Sequence, residues 1–250
     1  MFKKLTKAEN WWMYVIALLL FFMVRRIIVD PESQKAFEFI FPGIKITFLA
    51  TFISFAIAIL IGMFAGIARI SKNRFFSTIA RAYIEFIRGV PVLILIYFIA
   101  LVLIIPIAEF FGFEPRQLSM LVRGIAALSI FYGAYIAEVF RAGIESVDNG
   151  QREGGLSLGL TTKQTMRFVI LPQAFRNMLP ALGNDFISMM KDSSLLSLLA
   201  IGEITYQVKV YSGSTFRFNE SYSVSVVMYL CITLALSALQ RKLEARLESS

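Results

Sequence analysis

The sequence predicts an all-α, polytopic membrane protein: a bundle of about six transmembrane helices with one long cytoplasmic loop. Three observations predict it. Apolar runs long enough to cross a bilayer recur along the 250 residues. Hydrophobic residues make up 57% of the chain, and exchanging tyrosine for glycine in that count leaves it well above the roughly 45–50% of soluble domains. One polar interruption, 141–180, carries charges, glycines and capping residues between two apolar segments, and so must lie in water.

Composition also excludes function classes. The chain has 25 Lys and Arg against 17 Asp and Glu, but the basic residues are scattered between apolar runs instead of forming a stripe, which speaks against nucleic acid. Histidine is absent, removing the commonest general base and metal ligand. The single cysteine, Cys231, allows neither an internal disulfide nor a thiolate pair, and reads as a small core residue. No phosphate loop of the G-x-x-x-x-G-K type occurs, so any use of ATP belongs to another polypeptide. No catalytic residue, metal site or cofactor is expected.

Taken in order, the N-terminus is basic and then aromatic, and an apolar run, 13–24, precedes Arg25 and Arg26. No small-residue cleavage site follows, so an uncleaved anchor over about 11–29 is expected. A short acidic outer connector, 30–42, leads to a second span, 44–70. Along that span Thr47, Thr51, Ser54, Ala58, Gly62 and Gly66 recur at helical spacing, a face suited to close helix contact within the chain or between subunits. Residues 71–81, with Lys72, Arg74 and Arg81, read as a basic cytoplasmic loop. Glu85 and Arg88 stand three apart, the spacing of a local ion pair, before Pro91 and a third span, 92–107. A short outer loop, 109–116, joins this to a fourth span, 118–140. A fifth span, 181–201, an outer segment, 203–220, and a sixth span, 221–239, complete the bundle, with Arg241, Lys242 and Arg246 in an inner tail. This topology puts seventeen basic residues inside and eight outside, so both termini and the long loop are assigned to the cytoplasm.

Within the loop, Asp148, Asn149 and Gly150 form a turn, 151–155 can start a short helix, and Ser157, Leu158 and Gly159 form a second turn. Thr161 stands three residues before Gln164, the spacing of a capping box. A helix over 162–170 then ends near Pro172, which lacks a backbone donor. The product is a helix-turn-helix elbow.

These residues resemble the E-A-A loop of bacterial ATP-binding-cassette importer permeases. Glu153 takes the acidic position, Gly159 stands six later, and Val169, Leu171 and Pro172 complete the far end, with Leu160 and Thr161 following the glycine. Gly154 and Gly155 replace two alanines, each at a cost of roughly 1 kcal/mol of helix, and Val169 replaces isoleucine. The resemblance implies that the elbow is a coupling helix docking in a groove of the ATPase subunit, and 134–141 and 191–196 resemble the polar amino acid uptake branch. It also implies an amino acid substrate, a solute-binding protein at the outer face, and a second permease subunit, as homodimer or paralogous heterodimer. A single integral domain, 1–250, is expected, with an extra anchor and connector (1–42), a permease core (43–240) and the coupling loop (141–180), in the bacterial inner membrane and in contact with its lipid. The alternative is a self-sufficient channel or ion-coupled carrier.

Substrate contact is expected in the fifth span, because polar residues inside a bilayer usually face a bundle interior or watery cavity. Asp185, Ser188 and Asp192 share one helical face, and Lys191 and Ser194 lie on an adjacent stripe. Anions beside a cation suit the two ends of an amino acid. The competing readings are a span that starts near Ser193, leaving 185–192 solvated, or pairing of Lys191 and Asp192 with neighbouring helices.

Overall fold

A computed structural model describes residues 11–114 and 117–248. The basic stretch 1–10, Arg116 and the last two residues lie outside them. Every regular element among the described residues is helical. The first expected span is α1 (Trp11–Val29). The expected connector is instead a helix, α2 (Pro31–Ile40). Asp30 caps it, accepting hydrogen bonds from the Ser33 amide at 3.0 Å and hydroxyl at 2.6 Å, and Pro31 sits at its first turn, where its missing N–H costs nothing. The Ser33 hydroxyl holds the Asp30 carboxyl below the ordinary carboxylate range.

The second span is α3 (Gly43–Arg69). The expected basic loop is reduced to a turn, because Asn73 caps a further helix, α4 (Arg74–Gly89), through the Phe75 amide at 2.9 Å. Val90 and Pro91 break the chain before α5 (Val92–Phe98), a π-turn (Ile99–Leu103) and α6 (Ile104–Phe110). The fourth span, α7 (Met120–Glu145), is capped by Ser119. The elbow contains α8 (Asn149–Ser157) and α9 (Thr162–Thr165).

Pro172 does not end a helix. A π-turn (Met166–Ile170) precedes it, and α10 runs from Leu171 to Asp192. The Leu171 amide reaches back five residues to the Met166 carbonyl, a wider turn that accommodates the proline ring and its missing donor at the start of α10. A 3₁₀ segment (Ser193–Leu199) follows. The expected outer segment folds as α11 (Ile204–Thr215), capped by Glu203, and α12 (Phe218–Glu248) closes the chain. Cys231 is exposed on α12 and is not a core residue: its face of the helix is not covered by the rest of the bundle.

Four helical stretches among the described residues, Pro31–Arg69, Val92–Phe110, Met120–Glu145 and Phe218–Arg246, are long and apolar enough to cross a membrane. Helix α10 is not among them, since polar residues along its length, among them Gln173, Arg176, Asn177, Asn184 and Asp185, keep it from being apolar enough. That criterion therefore supports four of the expected six crossings.

The frame is the α3–α7 pair. All six small residues predicted along α3 are buried, and their contacts lie within the chain. A Cβ on Gly62 would lie 2.5 Å from Ile136 Cγ2, and one on Gly66 would lie 2.7 Å from the Ala137 carbonyl oxygen. The Ser54 hydroxyl donates to the Ile125 carbonyl at 3.2 Å, and the Ser129 hydroxyl returns a bond to the Ser54 carbonyl at 3.3 Å. Small side chains let the two backbones approach, and these hydroxyls find acceptors without water. The principal core includes Leu128, Ile136, Met178 and Met189. A second cluster, with Ile40, Ile204 and Val224, joins α2, α11 and α12 near the start of α3.

Candidate functional site

Among the described residues, two constellations carry chemistry: the elbow and a polar cavity between α4, α5, α7 and α10. In the elbow, Asp148 starts α8 by accepting the Gly150 amide at 2.7 Å. At the other end Gly159 adopts φ +81°, the left-handed conformation in which a side chain is penalised. The Gly159 amide bonds to the Leu156 carbonyl at 2.9 Å and the Leu160 amide to the Gly155 carbonyl at 3.1 Å. This pair of bonds is a Schellman closure. Thr161 then caps α9, its hydroxyl accepting the Gln164 amide at 3.3 Å while the Gln164 side chain accepts the Thr161 amide at 2.9 Å.

A Cβ on Gly155 would lie 2.8 Å from Thr165 Cγ2, whereas one on Gly154 would meet open space. Gly155 therefore allows α8 to fold tightly onto α9. Gln173 ties α10 to α8 through Gln151 at 3.2 Å, and Asn177 reaches Ser146 at 2.9 Å. Glu153, Gly159 and Thr161 are exposed along α8 and the turn into α9, with Leu160 half-buried there; Val169, Leu171 and Pro172 sit at the junction of the π-turn and α10. Sequence reasoning missed Leu156, Leu158 and Phe168, apolar side chains exposed on the same elbow. Their exposure follows from the orientation of α8 and α9, which no local pattern specifies.

The cavity, about 580 Å³, is lined by Arg88 to Val92, by Phe131, Tyr132 and Tyr135 of α7, and by Asp185, Ser188 and Asp192 of α10. Three of the five residues predicted on the fifth span thus share one cavity wall. Lys191 is exposed and lines no part of it, and Ser194 lies beyond the end of α10, in the 3₁₀ segment. The Tyr132 hydroxyl donates to Asp192 Oδ2 at 2.7 Å. Asp185 Oδ2 is buried and has no hydrogen-bond partner. The cation of this cavity is Arg88, whose guanidinium carbon stands 5.6 Å from the Tyr135 ring centroid.

Glu85 does not pair with Arg88. It lies 3.9 Å from Arg69, which also approaches Glu138 at 3.9 Å, and Glu138 accepts from Arg141 at 2.8 Å. The chain break at Pro91 is the sequence signal that could have pointed to Arg88, because it ends α4 beside the cavity. The residues of α7 and α10 that line the cavity with Arg88 are distant in sequence. Chemically, the cavity presents a guanidinium, a shielded carboxylate and tyrosine hydroxyls.

A family model, the binding-protein-dependent transport system inner membrane component, matches residues 58–249. The chain is 37% identical over 213 residues to the glutamine transport system permease protein GlnP of Escherichia coli (strain K12), covering 85% of this chain and 94% of that protein. It is 32% identical over 223 residues to the probable glutamine ABC transporter permease protein GlnP of Bacillus subtilis (strain 168), covering 87% and 98%. A crystal structure of an amino acid ABC transporter with histidines matches with TM-score 0.77 and 36% identity over 87% of this chain and 99% of that one. An inward-facing structure of the MetNI methionine ABC transporter, 17% identical with TM-score 0.65, shares the fold. The chain therefore belongs to the family of binding-protein-dependent transport system inner membrane components.

Proposed function

We propose that this chain is the transmembrane subunit of an ATP-binding-cassette importer for polar amino acids, with substrate passing through the cavity between α4, α5, α7 and α10. The observation that carries the reading is Asp185: a buried carboxylate oxygen without a partner, in a cavity that also presents Arg88. Burying a charged group without a partner costs several kcal/mol, by order of magnitude, unless a ligand supplies one. An α-ammonium at Asp185 and an α-carboxylate near Arg88 satisfy both, with Ser188, Tyr132 and Asp192 completing the polar wall. The identities of the relatives, glutamine and amino acid permeases, support this substrate class. Lys191 and Ser194, also expected from sequence to contact substrate, can do so only if α10 turns or its end rearranges during transport.

ATP hydrolysis belongs to a separate subunit, and this chain carries no catalytic site of its own. The elbow is its docking element: Leu156, Leu158 and Phe168 offer apolar contacts, and Glu153, Gly159, Leu160, Thr161, Val169, Leu171 and Pro172 hold the shape. A second permease subunit, identical or paralogous, faces this one across the pathway, and a solute-binding protein delivers substrate at the opposite face. Both termini and the elbow are cytoplasmic, and a reporter inserted near Asn149 should be active only as a cytoplasmic probe.

The test is Asp185→Asn in the complex with its ATPase. Uptake across a panel of amino acids should fall and half-saturation should rise by roughly tenfold, the loss of about one charge-assisted hydrogen bond, with ATPase association unchanged. Unaltered uptake and affinity would remove Asp185 from the pathway.

A further inference from the structure

We propose that α4 is a binding site for anionic phospholipid, lying obliquely in the leaflet on the elbow side with its exposed apolar stripe among the acyl chains and its basic stripe at the headgroups. The sequence alone reads the first half of this helix, within 71–81, as a loop, so the continuous stripes emerge only from the folded helix.

Helix α4 has three stripes. Ser77, Ala80, Ile84 and Ile87 face the protein. Phe75, Ile79 and Phe86 lie one above another on a second stripe, flanked by Phe76, and are 67%, 53%, 54% and, for Phe76, 54% exposed. A soluble helix would not leave four such side chains in water. Arg74 and Arg81 occupy the third stripe, with Lys72 in the turn before it. All three are exposed and none forms an ion pair with a described residue.

Arg69, the last residue of α3, is occupied by Glu85 and Glu138. The Ser77 hydroxyl donates to the Arg69 carbonyl at 3.0 Å, fixing the first turns of α4 at the end of α3 nearest the elbow. The Tyr83 hydroxyl donates to the Ile130 carbonyl at 2.6 Å, so α4 climbs toward the bundle interior as it proceeds. An apolar stripe beside free cations at the end of a membrane bundle complements the chemistry of a lipid with a phosphate anion and two acyl chains. A second protein would need acidic groups matched to Lys72, Arg74 and Arg81, whereas an anionic leaflet supplies them everywhere.

The experiment purifies the full-length permease with its ATPase in detergent, mixes it with equal phosphatidylglycerol and phosphatidylcholine, and measures retained lipid by native mass spectrometry. Wild type should retain phosphatidylglycerol preferentially, and the preference should fall as salt rises. Arg74→Gln with Arg81→Gln should weaken retention by about fivefold per cation removed, with ATPase association intact. In proteoliposomes, any stimulation of uptake by phosphatidylglycerol should weaken in the same variant. Equal retention of the two lipids by wild type would overturn the proposal. So would unchanged phosphatidylglycerol retention in the double variant, or efficient cross-linking of Phe75→Cys to a second protein chain, which would make the stripe a protein interface. Because the salt series uses wild type alone, the proposal stays testable even if the double variant does not assemble.

Discussion

Tyr132 on α7 donates a 2.7 Å hydrogen bond to Oδ2 of Asp192, the last residue of α10. That bond spans 60 residues of sequence and holds the carboxylate at the cavity wall where α10 gives way to a 3₁₀ segment. Tyr132→Phe preserves the ring packing and removes only the donor. Half-saturation of uptake should rise by roughly tenfold, since hydrogen bonds to charged groups are worth about 1.5–3 kcal/mol, while assembly stays normal. Radiolabelled uptake beside an ATPase pull-down checks both.

Gly66→Leu should damage folding and leave chemistry aside. Its Cβ would sit 2.7 Å from the Ala137 carbonyl oxygen and 2.7 Å from Phe140 Cβ, and backbone cannot swing away as a side-chain end can. Overpacking of this kind costs about 1–3 kcal/mol. Thermal unfolding of the detergent-solubilised protein should show a lowered midpoint, and an unchanged midpoint would mean that α3 and α7 are less closely packed.

Gly159 separates shape from space, because a Cβ there meets no atom within 4 Å yet the backbone is at φ +81°. Gly159→Asp should leave the permease in the membrane but weaken ATPase association and abolish uptake. Gly159→Val should be worse, at about 1–2 kcal/mol of backbone strain, and Gly159→Asn milder. Association measured across the three variants should follow that order.

Glu203 gives a pH signature. It is fully buried at the start of α11, accepting the Tyr206 amide at 2.7 Å and the Tyr229 hydroxyl at 2.9 Å. Burial pushes its carboxyl up from 4.5 to about 7, against the opposing effect of these bonds and of Lys209. A raised folded value means that the folded state holds the proton more tightly than the unfolded chain does. Its contribution is complete below pH 4.5 and is lost as pH rises to about 7. Glu203→Gln keeps an acceptor for the Tyr206 amide and removes the titration. Unfolding free energies measured from pH 4 to 8 should therefore fall less in the variant than in wild type, by up to about 3 kcal/mol; parallel curves would sink the assignment.

The helical class, the shared face of Asp185, Ser188 and Asp192, and the Thr161–Gln164 capping box were legible in the sequence, because each depends on residues within about two turns of one another, which helix geometry brings together wherever the segment sits. The same local rules misread α2 and the first half of α4 as connectors, since amphipathic segments of this kind become helices by packing an apolar stripe against distant partners. They also ended a helix at Pro172, which the preceding π-turn accommodates. Only the tertiary structure decided that Arg88 and not Lys191 supplies the cavity's cation. That choice depends on the rotation of α10 against α7 and on the break at Pro91, and helix rotation is set by long-range packing of the kind seen where Gly62 and Gly66 admit α7.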